Sequence, residues 1–265
     1  MLWVLFFLSV VCITLGTKNR MNMRIQSLRN EQLRMFYLAQ EGIDRAIITL
    51  SEDDVEFDGA GEQWCKDFSL QKEAALLSYK VVDEDRFLNI NSVPREVLDN
   101  IGLVFPEITS QIIDNIDKRR PFNLEQEVID TTGIDKDDFY PDAIDAEQHL
   151  GGLITVFSDG KININTASST VLIMIPDMSE AAAEAIITRR QDIAFKDDSR
   201  LSDELSVLGL SPQQISSLLT YIKVTSSVFR IKVEASSRRK HISKNMEIVV
   251  ARTDGKFKVL FFKES

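Results

Sequence analysis

The side chains that most often carry out catalysis are scarce in this sequence. Only two histidines, His149 and His241, occur among the 265 residues, and neither stands at a fixed spacing from a serine or cysteine. No nucleophile elbow, phosphate-binding loop or His-Glu-x-x-His zinc motif is present. The two cysteines, Cys12 and Cys65, cannot form a disulfide framework. We therefore predict that the protein is not an enzyme.

Two acidic clusters contain side chains that could ligate a metal. Glu56 and Asp58, preceded by Asp54, resemble the start of an EF-hand calcium loop, but Cys65 stands where such a loop needs a bidentate glutamate. The second cluster consists of Asp135, Asp137, Asp138, Asp142 and Asp145. Both clusters are more typical of a solvated surface than of a metal cage, so the sequence assigns no metal ligands.

The most informative spacing is an internal repeat. Residues 87–98 and 161–172 align at an offset of 74 residues. Each copy contains Asn-x-Asn followed by Ser or Thr, and then an apolar Val-Leu pair. An Ile-Ile pair, a basic pair and a phenylalanine follow in both copies. A repeat of this length is rarely accidental and indicates two copies of one structural unit.

Each copy has the pattern of a helix-hairpin-helix unit. Asparagine and hydroxyl side chains bind free backbone amides, so the Asn-x-Asn segment is expected to end an extended stretch and cap a helix. A turn follows, near Gly102 in the first copy and at Pro176 and Asp177 in the second. The predicted capping residues are Asn89, Asn91, Asn163, Asn165 and Thr166.

Such units can bind DNA when a glycine-rich turn offers backbone amides to a phosphate. The second turn lacks glycine and places Asp177 where the phosphate would lie. Residues 46–225 hold 15 basic and 34 acidic side chains, a net charge of −19, whereas a phosphate backbone favours basic surfaces. We expect no nucleic acid partner and assign the repeats to packing or protein contact. A membrane-anchored DNA-binding protein of the competence type remains the alternative.

Strands are predicted on both sides of the repeats. Residues 78–90 suggest a hairpin around an acidic turn, and residues 153–164 suggest a second hairpin around Asp-Gly. Residues 72–77 suggest the end of a short helix. After Tyr221 the pattern changes to alternation typical of an antiparallel meander, which needs a helix over one face. The three predicted strands are residues 227–235, 246–252 and 256–262.

The chain begins with 15 apolar, uncharged residues, about 22 Å as a helix and shorter than a hydrocarbon core of about 30 Å. From Thr17 to Leu50 there is no proline, and apolar residues recur on one helical face. We predict a membrane segment that continues into one amphipathic helix. Its anchor residues are Leu2, Val4, Leu5, Phe6, Leu8, Val11 and Leu15. Its packing residues are Met21, Ile25, Leu28, Met35, Ala39 and Ile43.

Other interpretations of this segment fit less well. A cleaved signal peptide would have a basic start and a small-residue cleavage site, and neither is present. A short anchor with a coiled-coil stalk stays open. Lys18, Arg20 and Arg24 follow the apolar run, where the positive-inside rule would place them in the cytoplasm. Together with the shortness of the apolar run, this position of the basic residues predicts a basic leader upstream of Met1.

Together these segments resemble the minor pseudopilin K family of type II secretion systems, also called general secretion pathway protein K. The resemblance rests on the apolar N-terminal helix and on residues 81–91, 159–167 and 226–231. It implies an α+β fold: a pilin-like long N-terminal helix on a small antiparallel sheet, with a large inserted α-helical domain containing the two repeats. The implied boundaries are 1–50, 51–90, 91–223 and 224–265.

The resemblance also implies a function. Family members are non-catalytic subunits at the pseudopilus tip, where they support pseudopilus assembly and protein export across the outer membrane. The implied partners are the minor pseudopilins I and J, the prepilin peptidase and the inner membrane, with one membrane pass and the bulk of the chain in the periplasm. Calcium is implied as a cofactor. The family lacks the glutamate found at the fifth mature position of most pilins, and here no glutamate precedes Glu31. A type IV pilus minor pilin remains an alternative.

Overall fold

A single 50-residue helix, α1 (Leu2–Ser51), opens the computed structural model and is about 75 Å long at 1.5 Å per residue. The structure describes residues 2–53, 56–72, 74–139, 149–238 and 240–265, without the side chains of Leu5, Asp137 and Asp138. The further helices are α2 (Arg95–Val104), α3 (Ser110–Arg119), α4 (Glu125–Thr132), α5 (Lys136–Phe139), α6 (Ser169–Ile173), α7 (Glu180–Asp192), α8 (Leu201–Val207) and α9 (Pro212–Tyr221). The strands are β1 (Phe68–Lys72), β2 (Ala75–Asp83), β3 (Leu88–Asn89), β4 (Ile154–Thr155), β5 (Ile162–Asn163), β6 (Ile222–Lys223), β7 (Val228–Ser237), β8 (Ile242–Thr253) and β9 (Lys256–Glu264).

The C-terminal half of α1 lies across a five-stranded antiparallel sheet in the order β1-β2-β7-β8-β9. Met35, Ala39 and Ile43 are buried against the sheet, as the helical periodicity predicts. Gly42 lies so close to it that a Cβ at that position would be 2.6 Å from Val233 Cγ1. The predicted C-terminal meander is confirmed as β7, β8 and β9, with helix α1 covering one face.

The prediction of a helix at residues 72–77 is wrong, because this segment forms part of the β1–β2 hairpin. Ala75, Leu77, Tyr79 and Val81 are buried while the residues between them are partly or fully exposed. This period of two matches a strand with one face on a core. β2 then joins β7 in antiparallel register, which ties the N-terminal part of the sheet to the C-terminal meander.

Both predicted local hairpins, at residues 78–90 and at residues 153–164, are also wrong. β3 pairs in parallel with β4, and β5 pairs in parallel with β6. Each repeat therefore begins and ends with one short strand of a parallel pair, and the intervening chain forms its helices. Local turn signals could not show this pairing, because each strand's partner lies about 60 residues away in the sequence.

The helical part has its own hydrophobic core, whose buried residues run from Leu88 to Val224. The pilin-like part has a separate core, formed by α1, the sheet and Trp64. The predicted fold class is therefore confirmed: a long N-terminal helix on an antiparallel sheet, with an inserted α-helical domain.

Candidate assembly surfaces and the junction between the two cores

The N-terminal third of α1 protrudes from the body of the protein. Leu2 is 85% exposed, and the anchor residues Val4, Phe6, Leu8 and Leu15 are also exposed, whereas Val11 is half-exposed. The side chain of Leu5 lies outside the described residues. By length and apolar composition α1 is a candidate to cross a membrane, and it is the one such helix in the described chain.

The predicted packing face of α1 divides into two parts. Its C-terminal members are buried on the sheet, whereas Met21, Ile25 and Leu28 do not pack on the chain's own body. Met21 is 62% exposed, and the other two are 40% exposed. A continuous apolar stripe that is half covered leaves its N-terminal half free to contact another molecule.

Three consecutive carboxylates, Asp83, Glu84 and Asp85, form the junction between the two cores. Asp83 is the last residue of β2, Glu84 and Asp85 begin the short 3₁₀ turn that follows, and all three are buried. Lys223 Nζ, at the end of the helical domain, lies 2.8 Å from Asp85 Oδ2. Arg230 on β7 binds Glu84, while Thr155 of β4 donates to the same carboxylate. The junction is therefore held by buried charges from both cores.

Asp83 is the member of this group without a cationic partner among the described residues. Its Oδ2 accepts hydrogen bonds from Thr166 Oγ1 at 2.5 Å, Ser226 Oγ at 2.6 Å and Asn163 Nδ2 at 3.1 Å. Burial, followed by the negative charge of Asp85, raises the pKa of Asp83 to about 7. The hydrogen bonds from Ser226 and Thr166 favour the ionised carboxylate, but burial and the charge of Asp85 favour the protonated form and outweigh them.

The two repeats use the same asparagine clamp. The Asn91 side chain accepts from Phe122 N at 2.7 Å and donates to Phe122 O at 2.9 Å. Asn165 makes the same pair of bonds to Phe195 N and O, both at 2.8 Å. In each copy the first asparagine of the motif, Asn89 or Asn163, accepts from the backbone N–H of the second at 2.9 Å. Each clamp thus fixes the start of a repeat to the chain beyond its second helix.

These contacts correct the predicted capping role of Asn89, Asn91, Asn163, Asn165 and Thr166. The residues at the N-caps of α2 and α6 are Pro94 and Ser168, and Ser168 accepts from Val171 N at 3.2 Å. The Asn-x-Asn motif precedes these caps by three or more residues, so its side chains satisfy distant backbone groups instead. Thr166 belongs to the junction through its bond to Asp83.

Another acidic group lies beside the junction, and it includes Asp58 of the first acidic cluster in the sequence. Carboxylate oxygens of Asp53, Asp58 and Glu62 lie within 4.8 Å of one another. Arg252 offsets one of the three negative charges, since its Nη2 lies 2.6 and 2.7 Å from the two oxygens of Asp58 and its Nη1 lies 3.8 Å from Asp53. Both oxygens of Asp58 are thus bound to a guanidinium instead of being open to a metal, so the group as arranged does not fit a calcium site. Asp54, Asp142 and Asp145 lie outside the described residues, as do the side chains of Asp137 and Asp138.

Helix α9 contacts the turn of the second helix-hairpin-helix unit. Ser217 Oγ donates to Pro176 O at 2.9 Å, and Gln213 Nε2 donates to Asp177 Oδ1 at 3.0 Å. Asp177 has a positive φ of 65°, in the left-handed region that usually favours glycine. In the first unit, Asn100 of helix α2 donates to Met174 O of the second. The second turn is thus used for packing inside the domain. The turn of the first unit, predicted near Gly102, begins only after Val104, because Asn100 and Gly102 lie within α2.

Comparisons with known proteins agree with this architecture. The helix-hairpin-helix motif family matches residues 158–223, which confirms the prediction for the second repeat. No curated protein matches the chain significantly. A chain in the crystal structure of the GspK-GspI-GspJ complex from the enterotoxigenic Escherichia coli type 2 secretion system superposes with a TM-score of 0.61 and 13% identity. The match covers 91% of this chain and 99% of that chain. At this identity the likeness establishes a shared fold.

Sequence reasoning missed the junction. Residues 83–85 suggest the acidic turn of a local hairpin, yet they are among the most buried polar groups described. The available signal was that three carboxylates directly follow a strand with a buried face, while the cations that bind them lie more than 130 residues later. That separation hides the pairing from any local pattern.

Proposed function

We propose that this protein is a K-type minor pseudopilin of a type II secretion system, a non-catalytic subunit at the tip of the pseudopilus. The observation that supports this most strongly is the fold likeness to a chain of the GspK-GspI-GspJ complex, because it extends over nearly the whole of both chains. It includes the inserted helical domain as well as the helix-and-sheet body that pilin-like proteins share.

The arrangement of the two ends of the body favours a terminal position. Near the membrane end, Ser237 at the end of β7 donates to Glu31 of α1, and Lys240 of the β7–β8 connection donates to Ser27. At the opposite end of α1, Asp53 lies near Arg252, and the helical domain is attached there. A bulky domain at the end farthest from the anchor would block the addition of another subunit above it.

The protruding part of α1 supports the proposed location and partners. Its apolar start would hold the chain in the inner membrane with a single pass, and the rest of the protein would lie in the periplasm. The exposed stripe of Met21, Ile25 and Leu28 would pack against the helices of the minor pseudopilins I and J. A prepilin peptidase would process the chain. Calcium binding stays a prediction without ligands, and we assign none to the group around Asp58.

A second candidate function, DNA binding, is favoured by the helix-hairpin-helix match at residues 158–223. Two features of the structure weaken it: Asp177 adds an exposed negative charge at the turn that would meet a phosphate, and α9 is hydrogen-bonded to that turn. A type IV pilus minor pilin would share the body of the fold. Gene neighbourhood separates this last alternative from the secretion system.

Deletion of the gene in the source bacterium tests the proposal. We expect loss of protein export by the type II system, restored by the full-length chain. A Leu28→Glu chain should be membrane-inserted but fail to restore export. Normal export in the deletion strain would overturn the proposal. A salt-sensitive DNA gel shift with the purified chain would instead support the alternative.

A further inference from the structure

The last strand, β9, forms one edge of the five-stranded sheet. It runs for nine residues, Lys256–Glu264, and within the described chain no strand pairs with its outer side. It contains no proline or glycine, and most of its residues are exposed. A long edge with free backbone groups is a template for strand addition, which proteins either prevent or use.

The outward-pointing backbone groups can be assigned from the β8–β9 ladder. Asn245 and Ser265 exchange both backbone hydrogen bonds, at 2.9 and 3.0 Å. Bonded and non-bonded pairs alternate along an antiparallel ladder. Allowing for the bulge beside Val249 and Val250, the N–H groups of residues 257, 259, 262 and 264 point away from β8. These four positions are available to a new strand.

The side chains of β9 separate into two chemically different faces. On the face that carries α1 lie Phe257, Val259 and Phe262, of which the last two are 54% and 50% exposed, together with Glu264, which pairs with Lys244. On the opposite face lie Lys256, Lys258 and Lys263, none of which forms an ion pair with a described residue, together with Phe261, whose ring packs on Phe157. A strand placed beside β9 would meet apolar side chains on one face and unpaired ammonium groups on the other.

We propose that β9 binds an extended segment of another protein by strand addition, and that this segment alternates apolar and acidic side chains. The backbone supplies the hydrogen bonds, the apolar face of β9 supplies buried area, and the three lysines select carboxylates on alternate positions. A second copy of this chain fits less well, because two β9 strands would place lysines together on one face. This inference is independent of the proposed function, since it rests on the sheet edge alone.

The test uses the full-length chain in detergent and two labelled nine-residue peptides, one alternating Glu with Val and one alternating Lys with Val. Fluorescence anisotropy should show binding of the Glu peptide and not of the Lys peptide, with affinity that decreases as salt rises. Val259→Pro removes an outward N–H and leaves the β8–β9 ladder intact, so it should weaken binding about tenfold. Val259→Thr keeps that N–H and should change affinity by less than about threefold.

Hydrogen exchange localises the contact. The amides of Val259 and Phe262 should exchange more slowly when the Glu peptide is bound, and those of β1 should not change. Equal binding of both peptides, equal binding by the proline and threonine variants, or protection elsewhere would overturn the proposal. Dimerisation of the chain without peptide, lost in Val259→Pro, would also overturn it and would identify a second copy as the occupant.

Discussion

Asp83 Oδ2 accepts a hydrogen bond from Thr166 Oγ1 at 2.5 Å, which joins the end of β2 in the pilin-like body to the second repeat of the helical domain. The same oxygen accepts from Ser226, at the start of the return into the sheet. One buried carboxyl therefore touches both cores and the segment that connects them. The orientation of the inserted domain depends on this contact and on the neighbouring ion pairs of Asp85 and Glu84.

The raised pKa of Asp83 predicts that stability falls as the pH rises. In the folded protein the pKa is about 7, whereas an unfolded aspartate titrates near about 3.9. Between these values the folded state binds more protons than the unfolded state, so the free energy of unfolding decreases from about pH 4 to about pH 7. Asp83→Asn removes the titrating group and should flatten this decrease, so its free energy of unfolding should gain on that of the wild type as the pH rises from about 5 to about 8.

Urea unfolding of both proteins at pH 5, 6, 7 and 8 measures this effect. Asp197→Asn is the matched control, because Asp197 is exposed and its pKa is lowered by hydrogen bonds from Ser199. The control should not reproduce the gain at high pH. A difference between wild type and Asp83→Asn that is the same at every pH would contradict the assignment.

The asparagine clamps should be the most sensitive polar positions in the helical domain. Asn165→Ala leaves the backbone N–H and C=O of Phe195 without their partner in a buried site, which should cost about 2–4 kcal/mol. Asn91→Ala removes the equivalent pair from Phe122, in a half-buried site, and should cost less. Asn30→Ala, on the exposed face of α1, is the control. Equal, small decreases in melting temperature for all three variants would show that the clamps do not stabilise the domain.

The close approach of α1 to the sheet predicts opposite effects of one substitution at two glycines. Gly42→Ala places a methyl group 2.6 Å from Val233 Cγ1 and 2.9 Å from Leu77 Cδ1, and should destabilise the body by about 1–3 kcal/mol. Gly16→Ala has no neighbour within 4 Å, so only helix propensity changes, and α1 should gain up to about 1 kcal/mol. Denaturant unfolding in detergent measures both. A stabilising Gly42→Ala would show that α1 does not pack as described.

The exposed part of the α1 stripe should affect assembly and leave folding unchanged. Leu28→Glu puts a charge on the free stripe, and we expect an unchanged melting temperature with loss of binding to neighbouring helices. Asn30→Glu adds the same charge on the opposite side of the helix and should keep binding. Co-purification with candidate partner subunits distinguishes the two variants. Equal binding by both would exclude the stripe from the interface.

Periodic features of the fold could be predicted from sequence, because each depends on neighbours in the chain. The stripe at Met35, Ala39 and Ile43 and the meander after Tyr221 are examples, and their buried faces repeat every 3.6 or two residues. Pairings between residues far apart in the sequence could not be predicted. The pairing of β3 with β4 depends on closure of the first repeat, and the pairing of Asp85 with Lys223 depends on closure of the whole helical domain. No local turn or charge pattern encodes either.

The repeat illustrates the same limit at one motif. The Asn-x-Asn pattern correctly indicated two copies of one unit, but the predicted role of its asparagines as helix caps was wrong. Asparagine satisfies backbone groups near or far, and only the structure shows that Asn91 and Asn165 bind phenylalanines about 30 residues away. A residue type therefore indicates what kind of hydrogen bond forms, but not which backbone group takes part in it.

Complex formation tests the proposed function most directly, because a K-type minor pseudopilin should assemble with the I and J minor pseudopilins. The full-length chain is co-expressed with the I and J minor pseudopilins of its own bacterium, extracted in detergent and examined by native mass spectrometry. We predict a complex that contains one copy of each protein and that is lost with Leu28→Glu but kept with Asn30→Glu. Recovery of the wild-type chain alone, with both partners present and folded, would contradict the account.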